Sequence, residues 1–351
     1  MPELYGSQYS SDELRGLTGT LRQLAGIRLM EFADGKPRGM RVAEVYTGSG
    51  LRFDVLLDRG MDIGAAEFAG KPLAWLYPAL GAPAHYEPQG RGWLRTFGGG
   101  LMTTCGLTHF GHAETDGEES LGLHGRISHI PAEDVSVSEA WHGDEYVLSL
   151  EGQARQAALF GENLLLTRRI TTRLGGTSLL ITDRVRNDGF RPVPHMILYH
   201  CNFGFPAVSP DSELWLDDQS VTPRDEVAQS GMAAHTRFAP PDAGFAEQVF
   251  FHRPRVGADG FARAAIVNRA LAFGATIRYR AAELPYLMQW KMMGAGEYVC
   301  GLEPCNHEGL PRQRLRAEGR LAFLAPGEEA AYQIEIGVLS DAAAIASWPA
   351  P

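Results

Sequence analysis

The stretch EYVLSLEGQARQAALFGENLLLTRRITTRLGGTSLLITDRVRNDG, residues 145–189, decides the fold. Three apolar-rich runs, EYVLSLEGQA, LLLTRRITTRLG and SLLITDRVRND, are separated by Gly161-Glu162-Asn163 and Gly175-Gly176, and the last stops at Asn187-Asp188-Gly189. Short runs rich in Val, Ile, Leu and Thr, bounded by Gly, Asn and Asp, read as strands joined by turns. DVSVSEAW precedes them across Gly143-Asp144, and PHMILYHCNFG follows. Strands recurring every ~8–12 residues with turn signals between them predict an all-β sandwich or barrel.

The pattern continues on both sides. RVAEVYTGSGLRFDVLLDRG reads as two strands about Gly48-Ser49-Gly50, with Leu51, Phe53, Val55 and Leu57 at alternate positions. MDIGAAEFAGKPLAWLYP reads as a hairpin turning at Gly70-Lys71-Pro72. LAFGATIRYR, YLMQWKMMG, EYVCGLEP and AAYQIEIGVLS return to strands near the end. Near the start, Leu14, Leu17, Leu21 and Leu24 recur at three- and four-residue spacing, a helix stripe with Ser11 or Asp12 as its cap. Gly16, Gly19 and Gly26 weaken that stripe. Residues 78–120 are rich in Gly, Pro and His, a long irregular stretch of the kind that carries function. Residues 207–265 show no clear period. With no repeat and no linker, the expectation is a helical segment over 1–35 packed on one large antiparallel β domain over 36–345.

Charge and motifs exclude several classes. The 351 residues carry a formal net charge of −10, without a long Lys/Arg run. That argues against a nucleic-acid partner. No stretch approaches the ~18 apolar residues of a membrane span. The first residues, MPELYGSQYSSDELRG, lack the apolar core of a secretory signal, so a cytoplasmic protein is expected. Cys105, Cys201, Cys300 and Cys305 form no C-x-x-C pair and read as reduced, buried thiols. There is no G-x-S-x-G elbow and no phosphate-binding glycine fingerprint. Gly98-Gly99-Gly100 therefore reads as close backbone packing.

Four stretches hold the candidate chemistry: FGGGLMTTCGLTHFGH (97–112), LGLHGRISHIPAE (121–133), ILYHCNFGFP (197–206) and YVCGLEPCNHEG (298–309). They place His124, His200 and Glu303 at strand ends or turns, where a rigid sheet holds a side chain at the mouth of a cleft. Each also has a plain structural reading: His124 as a bonded turn residue, His200 as a satisfied core imidazole, Glu303 as a partner of Arg312. The spacings His109/His112, His124/His129 and Glu303/His307 suit a metal only where loops bring the pairs together, since an odd separation on a strand puts side chains on opposite faces.

In these residues the chain resembles the aldose 1-epimerase, or galactose mutarotase-like, superfamily, in a divergent bacterial branch. Leu123-His124-Gly125 is similar to the family's His-Gly step. His200-Cys201-Asn202-Phe203 is similar to its strand-end H-x-Y-F, with Asn202 in the place of Tyr. Cys300-Gly301-Leu302-Glu303-Pro304 is similar to its apolar strand ending in an acid, with one residue more between Cys and Glu. The resemblance spans residues 40–340 and implies a large β-supersandwich with a sugar cleft on one sheet. It implies interconversion of the anomers of a free aldose or related sugar without a cofactor, Glu303 acting as base, His200 as acid and His124 holding the sugar. The family's Arg near its first third has no counterpart in Thr104–Leu107, so Arg126 or Arg59 is expected to stand in for it.

Mutarotation takes a proton from the anomeric hydroxyl and delivers one to the ring oxygen, work suited to a carboxylate and an imidazole. A ring's width between the two groups is expected. Sugars also stack on aromatic faces, and Trp290, Trp93, Phe203 and Phe205 are the candidates. Gln289 and Lys291 beside Trp290, together with Asn202, His307, Asp217 and Asp218, are expected to reach hydroxyls. The alternatives are a divalent metal on the cleft His and Glu acting on a keto-sugar through an enediol, and a sugar-binding module without catalysis. A homodimer is left open.

Overall fold

The computed structural model describes residues 1–349. Helix α1 (Ser11–Leu17) is followed by strands β1 (Gly26–Glu31), β2 (Arg41–Tyr46), β3 (Leu51–Leu56), β4 (Asp62–Phe68) and β5 (Met102–Leu107). Then come β6 (Glu133–His142), β7 (Glu145–Ala157), β8 (Asn163–Arg173), β9 (Ser178–Asn187), β10 (Met196–Phe203), β11 (Ser212–Leu216) and β12 (Asp218–Pro223). After helix α2 (Glu226–Ser230) the chain forms β13 (Gln248–Pro254), β14 (Phe261–Asn268), β15 (Phe273–Arg280), β16 (Tyr286–Gly294) and β17 (Glu297–Cys305). Helix α3 (Arg312–Ala317), strand β18 (Glu329–Leu339) and helix α4 (Ala342–Ser347) complete it.

The long strands make two antiparallel sheets. An eleven-stranded sheet runs β12-β13-β16-β17-β10-β5-β4-β3-β2-β1, with Lys71–Pro72 paired to β4. An eight-stranded sheet runs β6-β7-β8-β9-β18-β15-β14-β11. The turns predicted at 143–144, 161–163, 175–176 and 187–189 each separate consecutive strands. On β7, Tyr146, Leu148, Leu150, Gly152 and Ala154 are buried, and Val147, Ser149, Glu151 and Gln153 between them are half-buried. That period-two burial stacks one sheet on the other.

The N-terminal segment departs from its expectation. Ser10, not Ser11 or Asp12, caps α1: its hydroxyl accepts from the Glu13 amide (3.3 Å) while the Glu13 carboxylate accepts from the Ser10 amide (2.7 Å). The helix ends at Leu17, which is 68% exposed. Thr18 is extended, and Leu21 begins a separate 3₁₀ turn. The glycines make a longer helix too costly. Residues 26–31 form an edge strand paired with β2, so the helical part of 1–35 is confined to Ser11–Leu17 and the turn Leu21–Gln23.

A buried ionic network joins the sheets. Arg168 on β8 donates from Nε and Nη2 to the two oxygens of Asp183 on β9, at 2.9 and 2.6 Å. Its Nη1 reaches across to Asp62 (3.2 Å) and to the Gly60 carbonyl (3.0 Å). Tyr199 on β10 donates to Asp183 (2.7 Å), and Thr104 on β5 donates to Asp62 from its amide (2.9 Å) and hydroxyl (2.6 Å). Burial pushes the Asp62 carboxyl up to about 6, against the pull of Arg168. Removing the guanidinium leaves two buried carboxyls without it. Arg168→Met is expected to cost about 3–5 kcal/mol, measured by equilibrium urea denaturation.

Candidate active site

Strand alternation on β10 sends Ile197, Tyr199, Cys201 and Phe203 into the core between the sheets. It sends Met196 and Leu198 to an apolar cluster on the outer face of the large sheet, and His200 and Asn202 follow the same parity. The neighbouring strand supplies the acid. Cross-strand pairs Leu198–Cys305 and Cys201–Leu302 put His200 opposite Glu303 on β17. On its other side His200 is paired with Thr103 of β5. His200 Nε2 and Glu303 Oε1 lie 3.3 Å apart. They lack the alignment of a hydrogen bond: Glu303 Oε1 and His200 Nδ1 are both buried without a partner. The ring's width expected between acid and base is replaced by direct contact, because adjacent strands set the spacing.

His124 joins them from a turn. Its backbone is left-handed, at φ 58°, a conformation that costs a residue with a side chain roughly 1 kcal/mol or more. Three bonds hold it there. The His124 amide donates to the Gly111 carbonyl (2.9 Å), the His124 carbonyl accepts from Gly106 (3.0 Å), and Nδ1 accepts from the Gly111 amide (3.4 Å). Nδ1 thus keeps its lone pair, and the proton sits on Nε2. Gly125 must follow, since a Cβ there would meet the Gly106 and His109 carbonyls at 2.4 and 2.5 Å. The rings of His124 and His200 are 5.5 Å apart, edge to face.

Aromatic rings wall the group. His200 meets Trp290 at 5.5 Å and Phe97 at 5.6 Å, and Trp93 lies 4.7 Å from His124. Trp75 touches both Trp290 (6.0 Å) and Phe97 (6.1 Å). Trp290 Nε1 donates to Glu247 (3.1 Å), which Arg224 also binds (3.1 Å). The glycine run at 98–100 allows this closeness, since a Cβ on Gly99 would stand 2.3 Å from the Trp75 carbonyl.

Burial sets the electrostatics. It pushes Glu303 up to about 8, helped by Glu247 and opposed by Arg224. It lowers His200 to about 4. It takes His124 well below the usual imidazole range, with His200 adding to the effect. Burial alone gives a carboxyl and an imidazole such opposed shifts, and groups shifted in this way cluster at functional sites.

The remaining expected site residues are placed elsewhere. Phe203 faces the core between the sheets, and Phe205 is 71% exposed. Gln289 and Lys291 lie on the face of β16 opposite Trp290 and donate to the His235 (2.7 Å) and Ala234 (2.6 Å) carbonyls. Arg59 is buried and donates to the Gly81 carbonyl (2.8 Å). Arg126 is exposed on a separate hollow of about 860 Å³ lined by Tyr86, His129, Arg155 and Arg191, so neither Arg joins the His200 group. His307 accepts from the Ala322 amide (3.4 Å). Arg312 binds Asp116 (2.7 Å) and Glu119 rather than Glu303. Asp217 pairs with Arg255 (3.0 Å) and Asp218 with His252 (2.7 Å). Asn202 shares the His200 face, but its amide nitrogen is spent on the Gly100 (3.0 Å) and His200 (2.9 Å) carbonyls. Sequence reasoning missed Trp75, Phe97, Glu247 and Arg224. Phe97 stands just before the glycine run, which was its only local signal. Glu247 and Arg224 fall in a region without periodicity.

Residues 37–338 match a family model described as a domain of unknown function, DUF4432. The chain belongs to the DUF4432 family. Its fold is similar to that of a Klebsiella pneumoniae protein described provisionally as an aldose 1-epimerase. The TM-score is 0.86 at 27% identity, over 92% of this DUF4432 chain and 85% of that one. A galactose mutarotase-like protein from Clostridium acetobutylicum gives a TM-score of 0.60 at 13% identity, over 90% of this chain and 99% of its own. Galactose 1-epimerase from Lactobacillus acidophilus gives 0.56 at 13%, over 90% and 98%. At these identities the last two show a shared fold alone. No curated protein matches the chain by sequence. This DUF4432 member therefore has the galactose mutarotase-like sandwich predicted from its motifs. Among the described residues, no helix is long and apolar enough to cross a membrane.

The shift of Glu303 has a thermodynamic sign. Its folded value of about 8 lies above its ordinary value of 4.5. Its contribution is therefore complete below pH ~4.5 and is lost as pH rises through about 8. His200, lowered to about 4, contributes in the opposite sense, losing stability as pH falls from ~6.5 toward 4. Comparing Glu303→Gln with the unaltered chain isolates the carboxyl. The variant is expected to gain melting temperature relative to the unaltered chain as pH rises to 8 and beyond, read by thermal denaturation across pH.

Proposed function

We propose that the chain interconverts the anomers of a free aldose or related sugar by acid–base catalysis at Glu303, His200 and His124. The observation that carries this reading is the contact pair His200–Glu303, whose two groups are shifted in opposite directions by the same burial. Between about pH 4 and 8 the pair holds one proton. Burial favours placing it on Glu303 with His200 neutral, the reverse of the carboxylate and imidazolium expected from the resemblance. Both divisions carry the same single proton and so offer one acid and one base.

The two oxygens that exchange protons in mutarotation are both bonded to C1, closer together than the ring is wide. An acid and a base in contact therefore suit them. One group of the pair gives its proton to the ring oxygen while the other takes the proton of the anomeric hydroxyl. The C1–O5 bond breaks, an aldehyde forms, and rotation about C1–C2 presents its other face to the returning hydroxyl. Ring closure reverses both transfers, so the pair ends with the proton it began with. The unpartnered Glu303 Oε1 gives a sugar hydroxyl an unmet group to bind. His124, with Nε2–H available, donates to a sugar oxygen. Trp290, Trp75 and Phe97 supply apolar surface for the ring.

Anomer-exchange NMR on a panel of free aldoses tests this. Glu303→Gln and His200→Asn are each expected to slow exchange by ~10²–10⁴-fold, with sugar binding retained in His200→Asn and folding intact in both. Binding without accelerated exchange in the unaltered chain overturns catalysis and leaves a sugar-binding module.

The pH dependence follows from the shared proton. Below about 4 both groups are protonated and no base is present. Above about 8 neither carries the proton and no acid is present. The pH profile of kcat/KM is expected to be a bell with limbs near those values, checked with buffers spanning pH 3–9.

A further inference from the structure

The face of β16 opposite Trp290 carries a second set of chemical groups. Asp218 at the head of β12, His252 on β13 and His235, just beyond α2, bring one donor atom each to within 4.8 Å of one another. Their hydrogen bonds decide which atoms are free. His235 Nδ1 lies 2.8 Å from the Met232 carbonyl, so it carries the proton and leaves a lone pair on Nε2. His252 Nδ1 lies 2.7 Å from the carboxylate oxygen Asp218 Oδ2. Gln289 Nε2 donates to the His235 carbonyl (2.7 Å), turning its Oε1 toward His252 Nε2 at 3.2 Å. A neutral His252 has one N–H for these two oxygens, so one ring nitrogen is left aiming a lone pair at an oxygen. Asp218 Oδ1 is buried with no partner at all. This arrangement is satisfied only by something positive: a second proton on His252 or a bound cation.

We propose that Asp218, His235 and His252 hold a divalent transition-metal ion, His252 through the Nδ1 that adjoins the Asp218 carboxylate, with Gln289 Oε1 accepting from His252 Nε2. Two imidazoles and a carboxylate are the donor set of Zn²⁺ and its neighbours Co²⁺ and Ni²⁺. Each imidazole has its other nitrogen facing an oxygen outside the ligand set, His235 Nδ1 the Met232 carbonyl and His252 Nε2 the Gln289 side-chain carbonyl, the outer arrangement that fixes ring orientation in metal sites. The ammonium of Lys291 on this face is engaged by the Ala234 carbonyl. The ion would fasten β12, β13 and the 226–239 segment to the back of the strand that carries Trp290. The His200–Glu303 pair lies on the other side of the sheet, so the proposal stands apart from the catalytic reading. It is also a different place from the metal on the cleft His and Glu considered from sequence.

Chelator-stripped, tag-free protein titrated with Co²⁺ tests it. One equivalent of Co²⁺ is expected to bind with visible d–d absorption and to be displaced by Zn²⁺. His235→Ala and Asp218→Asn are each expected to weaken binding by ~100-fold or more, while Glu303→Gln binds as the unaltered chain does. His235 is only half buried, so its variant keeps the comparison sound if substitutions of buried His252 fail to fold. Absence of Co²⁺ uptake by the unaltered chain overturns the proposal. Uptake undiminished in His235→Ala overturns it equally.

Discussion

One guanidinium, that of Arg168, ties the two sheets together, and the geometry of the outer face depends on it. It binds Asp183 in its own sheet and Asp62 in the other. Tyr199 completes the set through Asp183. Tyr199 and His200 are consecutive on one strand and point to opposite faces. Holding the tyrosine on the inner side fixes the height and tilt of the imidazole on the outer side. Thr104, anchored to Asp62, does the same for the strand that flanks His200 on its other edge. A charge network out of reach of solvent is thereby linked, through backbone alone, to the surface where the chemistry is proposed.

The second determinant is the absence of solvent at the pair itself. His200 and Glu303 are 5% and 4% exposed, and neither has a charged partner of opposite sign other than the other. Burial penalises ionisation of both. A carboxyl and an imidazole that would be oppositely charged in water are instead each pushed toward the neutral form. The rim pair Arg224–Glu247 sits beside Trp290 and acts on Glu303 from a distance. Its two charges oppose each other in effect, which leaves burial as the governing influence.

Residues 145–189 were legible because their information is local: turn residues end each run, and β-branched and apolar residues fill it. Glu303, His200 and His124 stood out by type, as polar groups within or beside apolar runs, and strand pairing rather than any local signal brings His200 against Glu303. What the chain does not display locally is which face of a strand is inner. Phe203 and His200 lie three apart on one strand and must face opposite ways, and only the partner sheet decides which of them joins Glu303 on the outer face. The same parity put Gln289 and Lys291 behind Trp290 rather than beside it. The helix stripe of Leu14 to Leu24 failed for another reason: its spacing is right, but Gly16, Thr18 and Gly19 end the helix before the stripe is complete. Trp75, Glu247 and Arg224 reach the site from segments whose position is set by long-range pairing, with no period of their own.

The four cysteines have a consequence of their own. Cys201 and Cys300 lie in the core between the sheets, and Cys105 and Cys305 under the outer face, all free and all without exposure. Burial raises every one of these thiols, Cys300 to about 12 and the others well above their ordinary value. The reactive thiolate is therefore scarce as well as unreachable. Oxidants and electrophiles meet these sulfurs only when the central strands part, so the chain carries four internal clocks that run at the rate at which its middle opens.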